Sequence, residues 1–423
     1  MRTAVIYDKW LAGLGGGEVV ACTMARVLKD AGFNVTLVSQ TKVNPEIILE
    51  TLSINVKDIR LEIINDNESQ LKQLCENKDL FINISFMDYS YGYAKKNIYY
   101  VHFPTVSSKS LLNFRSKNRR LNSFYNKYLL AFPSGMFNYV LTFFKVTRFH
   151  RYLSPSFKER IDDRLRAGIY NNLPNRLKSY QVFVTHSKYV KKWINKAWGI
   201  NAKVLYPPVK LLSSNDARLT TRHNWICSVG RFFTLGHGKK QEIMVEAFKK
   251  LYSELVTSHY PLVTSLQIHF VGGVGNEPSS LRFIEQLRDQ AKGYPIYFHY
   301  NVDRKEVEDV LLKSRIYWHA TGFGENPDLD PIKFEHFGIA PVEAISAGCI
   351  PILFNGGGLP EILNVLKLNA KKHLFTTQKE LVTNTKLVMR ASKQIDSSLL
   401  KKLASNFSQS SFKKNFLSIL HEK

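Results

Sequence analysis

Glu335-His-Phe-Gly-Ile-Ala-Pro-Val-Glu343 runs straight into Ala344-Ile-Ser-Ala-Gly348-Cys-Ile-Pro-Ile-Leu-Phe354. Gly338 and the apolar residues after it read as a helix start. Small residues continue the helix, Gly348 stops it, and 350–354 is an apolar strand. Loop, helix and strand in this order form one α/β unit. Two carboxylates stand eight positions apart around its opening. A helix N-terminus attracts anions, so a phosphate is the natural neighbour. Carboxylates beside a phosphate site usually grip sugar hydroxyls, which points to a nucleotide-sugar site.

The same alternation extends in both directions. Upstream, 4–7, 34–39, 80–85, 98–103 and 181–185 read as strands. A helix over 19–31 ends at Gly32, and Ser187 is placed to cap a helix over 188–197. Tyr206-Pro-Pro-Val209 and the polar stretch 213–223 read as a linker. Beyond it, strands are expected at 225–229, 266–271, 296–300, 316–320 and 350–354. Helices are expected at 240–251, 303–314 and 338–347, and two more in the last 45 residues. This βαβ order predicts two domains with parallel sheets facing a cleft, and ligands at the carboxyl ends of the strands.

The totals fit such a molecule. The chain has 423 residues, of which 44% are hydrophobic and 22% charged, which excludes a disordered or fibrous protein. A net charge of +24 suits nucleic acid, anionic lipid headgroups or phosphorylated substrates. Cys22, Cys75, Cys227 and Cys349 are scattered, with no zinc spacing, as in a reduced intracellular protein without a structural metal. The N-terminus reads as a strand rather than a signal peptide. The longest apolar run, 128–144, is broken by Pro133, Ser134, Gly135 and Asn138. Residues 107–170 are basic and aromatic without a clean strand. They read either as amphipathic helices lying in a membrane interface or as a helical subdomain with the aromatics in its own core.

Four further motifs carry chemistry. Gly13-Leu-Gly-Gly-Gly17-Glu18 follows the first strand and opens a helix, so Gly16 and Gly17 are placed to cradle an anion with backbone amides. A dinucleotide fingerprint would need glycine where Glu18 stands, and strand two ends in Val38-Ser-Gln40 without a ribose-binding acid, so nicotinamide chemistry is disfavoured. Arg231, Lys239 and Lys240 flank a loop after a strand ending at Gly230, and suit a diphosphate. Asn355-Gly-Gly357-Gly358-Leu-Pro-Glu361 is another glycine-rich turn opening a helix, and His102 ends a strand at the cleft. Asp328-Leu-Asp330 has the form of a metal-binding pair but lies in a loop among Asn and Pro, so no metal is expected there. With a rise of ~1.5 Å per residue, Glu335 and Glu343 are expected roughly 12 Å apart, enough to reach the sugar and the ribose of one extended ligand.

Together these residues resemble the retaining glycosyltransferases of family 4, which have the GT-B fold. The likeness covers nearly the whole chain. His-Phe-Gly-Ile, Tyr-Pro-Pro and Val-His-Phe-Pro are also similar to mannosyltransferases that extend lipid-linked oligosaccharides. The resemblance implies two Rossmann-like doubly wound domains: an acceptor-side domain over 1–208 carrying the 107–170 insertion, a nucleotide-sugar domain over 209–400, and a C-terminal helix over 401–423 crossing back. It implies that Glu343 binds the ribose and Glu335 the donor sugar, that Arg231 and Lys239 neutralise the leaving diphosphate, and that His102 touches the sugar near the reacting centre. Amides at Gly16, Gly338 and Gly358 would add donors, with Gly17, Lys240, Phe337, Ile339 and Gly357 completing the donor site. No metal or cofactor is implied, and the departing phosphate takes the acceptor's proton. The expected partners are a nucleotide-diphosphate sugar and a saccharide or lipid-linked acceptor. The expected location is cytoplasmic, peripheral on the membrane face if 107–170 binds lipid, with nucleic acid disfavoured. The alternatives are a GT-B epimerase or phosphorylase, and a non-enzymatic basic binding protein.

Overall fold

A computed structural model describes residues 2–65, 68–104, 173–212, 222–233, 238–261, 263–390 and 397–422. The two readings of 107–170 and the loop residues 234–237 lie outside the described residues.

The first sheet contains β1 (Thr3–Tyr7), β2 (Asn34–Ser39), β3 (Arg60–Ile63), β4 (Leu80–Asn83), β5 (Lys96–Val101), β6 (Val182–Thr185) and β7 (Lys203–Val204), in the order β3-β2-β1-β4-β5-β6-β7. The second contains β8 (Trp225–Val229), β9 (Gln267–Gly272), β10 (Ile296–Tyr300), β11 (Ile316–His319), β12 (Ile350–Phe354) and β13 (Leu374–Phe375), in the order β10-β9-β8-β11-β12-β13. All pairings are parallel. The expected pair of doubly wound domains is therefore present. In each sheet the winding reverses beside the first strand, between β1 and β4 and between β8 and β11. Those are the points where a crevice opens at the carboxyl ends of the strands.

The sequence dictates these elements locally. Strands buried on both faces read as continuous apolar runs, and every residue of β4, β11 and β12 is buried. The Ser187 hydroxyl accepts the Val190 N–H (3.1 Å) to start the helix Lys188–Trp198, and Gly199 closes it at φ 69°. Asp303 caps Arg304–Lys313 by accepting the Glu306 N–H at 2.8 Å. The edge strand β3 was not legible, because Arg-Leu-Glu-Ile alternates weakly and is half exposed.

The C-terminal stretch departs from expectation. It holds three helices, Gln378–Arg390, Ser397–Ala404 and Gln409–His421, where two were expected. A short turn at Ser405–Phe407 buries the Phe407 ring, and Ser408 caps a new helix. Leu400, Ala404 and Phe407 belong to the second domain's core. Phe412, Phe416 and Ile419 belong to the first domain's core. The chain thus crosses back between Phe407 and Phe412. All four cysteines are free and buried. Among the described residues no helix is long and apolar enough to cross a membrane.

Candidate functional site

The site forms where the ends of β8 and β11 meet the loop before the helix Ile339–Ser346. Gly230 follows β8, and a Cβ there would lie 2.6 Å from Lys239 Cγ, so only glycine lets the lysine chain pass. Lys239 Nζ reaches Glu335 Oε2 at 2.7 Å. His319, the last residue of β11, sits with Nε2 2.8 Å from the same oxygen and is 2% exposed. For that contact to be a hydrogen bond, Nε2 carries the proton and donates. Burial alone would raise the Glu335 carboxyl, but the Lys239 charge and the His319 hydrogen bond hold it well below the usual carboxylate range. Two residues expected to grip different parts of a ligand are therefore each other's partners.

Backbone geometry fixes this loop. Gly338 adopts φ 106°, which favours glycine, and turns the chain sharply into the helix, so Glu335 stands off the helix axis. Gly357 and Gly358 press against the loop from behind. A Cβ at Gly357 would lie 2.2 Å from the Glu335 carbonyl oxygen, and one at Gly358 would lie 2.4 Å from that of His336. The Gly358 N–H donates to the Glu335 carbonyl at 2.7 Å. This corrects the reading of 355–361 as an open anion cradle: the Gly358 amide is used inside the protein, and the two glycines seat the Glu335 backbone. The Phe337 ring is also committed to the core, 5.6 Å from Tyr206 and 5.3 Å from Phe407, which leaves only its backbone for a ligand.

Glu343 lies in the second turn of its helix and accepts from Arg304 at 2.6 Å through Oε1. Arg231 is exposed, with its guanidinium 5.3 Å from the Phe233 ring centroid. Its charge reaches Glu18 in the first domain. Lys240 instead pairs with Glu325 at 2.6 Å, and Lys333 shares that carboxylate at 3.1 Å. The structure therefore does not bring Lys240 to the Lys239 cluster. Asp328 and Asp330 face Lys196 and Lys333.

The first domain supplies the opposite wall. A Cβ at Gly16 would lie 2.9 Å from Ile339 Cδ1 across the cleft, and one at Gly17 would lie 3.1 Å from His102 Cε1. His102 donates from Nε2 to the Ile84 carbonyl at 2.7 Å, and burial pushes its pKa down to about 4, so the ring is neutral. Glu18 takes the Gly15 N–H at 2.6 Å. Beneath the turn, Asp8 is 2% exposed, and its Oδ2 has no hydrogen bond among the described residues. Burial and then the Glu18 charge push Asp8 up to about 7, and burial raises Glu18 as well. A turn with two such carboxyls suits hydroxyls better than an anion.

Sequence reasoning missed His319, Arg304 and His186, and it quoted Glu361 without giving it a role. The rule that picked out His102, a histidine ending an apolar strand, would equally have found His319 and His186. Glu361 reaches the other domain, where its two oxygens accept the Lys188 N–H at 2.9 and 2.8 Å and Oε1 accepts the Tyr206 hydroxyl at 2.7 Å.

Comparison with known proteins bears on the fold that carries this geometry. Residues 213–409 match the family described as "Glycosyl transferases group 1". The chain is 26% identical over 266 residues to the Xenopus tropicalis GDP-Man:Man(3)GlcNAc(2)-PP-Dol alpha-1,2-mannosyltransferase, covering 61% of this chain and 46% of the relative. It is 25% identical over 270 residues to the Homo sapiens protein of the same name, with the same shares covered. The chain thus spans about half the length of the curated relatives it matches. Among solved structures, Anabaena Alr3699/HepE in complex with UDP and glucose superposes with a TM-score of 0.63 at 13% identity, over all of both chains. A Rickettsia africae glycosyltransferase gives 0.62 at 15%, over 100% of this chain and 99% of the other. The fold is GT-B.

Proposed function

We propose that the chain is a glycosyltransferase that moves a hexose from a nucleotide-diphosphate sugar to a saccharide or lipid-linked acceptor. The observation that carries this reading is the Glu335 carboxylate at the point where the second sheet reverses. It holds Lys239 and His319 on one oxygen, four residues before Ile339, whose side chain meets the glycine turn of the first domain at Gly16. An extended donor would exchange these contacts for its own. Its diphosphate takes Lys239 and Arg231, and its hexose hydroxyls donate to Glu335. Its ribose hydroxyls share Glu343 with Arg304. Cationic donors aimed at the leaving diphosphate stabilise charge where it develops, commonly the largest single contribution to such a rate. With the diphosphate neutralised this way, its oxygen accepts the acceptor's proton on the same face, and transfer proceeds with retention and without a metal.

A cavity of about 310 Å³ lined by Tyr7, Lys9, Gln40, Asp88 and Arg176 opens at the carboxyl edge of the first sheet and suits a polyhydroxyl acceptor. The names of the relatives favour GDP-mannose as donor and a lipid-linked oligosaccharide as acceptor. Such an acceptor would place the protein at the cytoplasmic face of a membrane. Calorimetric titration with GDP-mannose, UDP-glucose and ADP-glucose tests the donor. Glu343→Ala and Arg231→Ala are expected to abolish turnover while far-UV circular dichroism is unchanged, and full activity in both would sink the proposal.

A further inference from the structure

His186 follows β6 directly, and β6 lies beside β5 with Thr185 opposite Val101. His102 and His186 therefore leave the sheet side by side, with ring centroids 5.8 Å apart. From the other domain His336, next to Glu335, brings its ring to 5.9 Å from that of His186. The first and third of these imidazoles are tied to backbone, His102 to the Ile84 carbonyl and His336 to the Ile332 carbonyl at 3.2 Å. His186 is not. It is only 7% exposed, and its Nδ1 is buried without a hydrogen-bond partner among the described residues. Buried polar atoms are nearly always paired, so one left unpaired where the two domains meet, between His102 and His336, calls for a ligand.

The backbone around it is held by both domains. The Thr185 hydroxyl donates to the Val101 carbonyl at 2.8 Å, Ser187 caps the following helix, and Glu361 grips the Lys188 amide. The ring is thus pre-positioned. Burial, with His102 and His336 nearby, keeps it uncharged. A neutral imidazole offers one donor and one acceptor. A phosphate has no hydrogen for the acceptor, and an apolar group serves neither. A sugar hydroxyl, which both donates and accepts, serves Nδ1 in either tautomer.

We propose that His186 binds a saccharide hydroxyl in the cleft and contributes to sugar specificity. This rests on the glycosyltransferase reading above. The hydroxyl can belong to the donor hexose or to the acceptor, and the test has an arm for each. His186→Phe keeps the ring volume and removes both polar atoms. GDP-mannose, UDP-glucose and ADP-glucose are titrated into wild type, and the best ligand and its nucleoside diphosphate are then titrated into the variant. The acceptor arm measures KM for α-1,2-mannobiose. If the donor hexose is held, nucleotide-sugar affinity falls about tenfold, the size of a lost buried hydrogen bond, and nucleoside-diphosphate affinity stays level. If the acceptor is held, donor affinity stays level and acceptor KM rises by a similar factor. His186→Asn, which keeps a donor and an acceptor, recovers part of either loss. Unchanged donor affinity together with unchanged acceptor KM overturns the proposal, as does an equal loss for the nucleoside diphosphate. A wild-type protein that binds no nucleotide sugar would instead refute the parent reading.

Discussion

Glu335→Gln separates the two tasks assigned to the paired residues. A diphosphate has to take Lys239 away from Glu335. The pair is tight, with Nζ–Oε2 at 2.7 Å and side chains 15% and 13% exposed. A hydrogen bond to a charged group contributes about 1.5–3 kcal/mol. Glutamine keeps the shape and an acceptor oxygen but removes the charge, so most of that competition disappears. A nucleoside diphosphate should bind the variant about tenfold more tightly, taking about 1.4 kcal/mol at the lower end of the range. The hexose loses its carboxylate acceptor by a comparable amount, so the nucleotide sugar gains nothing or weakens. The ratio of the two dissociation constants should shift by tenfold or more, and turnover should fall by about 10²–10³. Calorimetry on both ligands at fixed ionic strength, with initial rates alongside, measures each quantity. Nucleoside-diphosphate affinity that is unchanged or weaker in the variant would refute the competition argument.

Three further outcomes follow from the geometry. Asp8, at about 7 when folded against 3.8 ordinarily, keeps its proton between those pH values while the unfolded chain loses it. Its burial therefore costs stability progressively from pH 4 to 7 and levels off above. Asp8→Asn should raise the thermal midpoint at pH 8, by at most about 4 kcal/mol of stability, and leave it unchanged at pH 3; equal shifts at both would contradict the assignment. Gly358→Ala drives a Cβ against the His336 carbonyl, so kcat should drop about a hundredfold through displacement of Glu335, with nucleoside-diphosphate affinity held within about twofold. Glu361→Ala removes the carboxylate that joins the domains at Lys188 and Tyr206 and should lower stability by about 3 kcal/mol. Small-angle scattering should then show a larger radius of gyration, and an identical profile would argue against a latch.

Much of the scaffold was legible because parallel strands buried on both faces are short continuous apolar runs. β2, β8, β10 and β12 have the bounds their sequences suggest. The cap at Ser187 and the stop at Gly199 needed only local chemistry. The residue types at the strand ends were legible too. Their pairing was not, because it is made by contacts far apart in sequence: Lys239 meets Glu335 across 96 positions and Lys188 meets Glu361 across 173. Glycine runs misled for a related reason. Gly16–Gly17 and Gly357–Gly358 look alike in sequence, yet a Cβ on the first pair would meet the side chains of Ile339 and His102, and one on the second would meet the backbone of Glu335 and His336. Only the fold distinguishes glycine set against movable side chains from glycine pressed on fixed backbone.

The return of the last helix makes the first domain discontinuous in sequence. Phe412, Phe416 and Ile419 complete a core whose other members all precede residue 206, and each fully buried side chain of this kind contributes about 1.5–3 kcal/mol. A fragment cut at the linker would carry an unfilled apolar slot. A co-expressed peptide of the final residues is the natural plug for it. The two crossings also run side by side, since Val209 bridges Ser408 and its N–H donates to the Phe407 carbonyl at 2.8 Å. Two parallel straps bend together more easily than they twist, so a change in the width of the cleft is expected to run as a bend about this one spine.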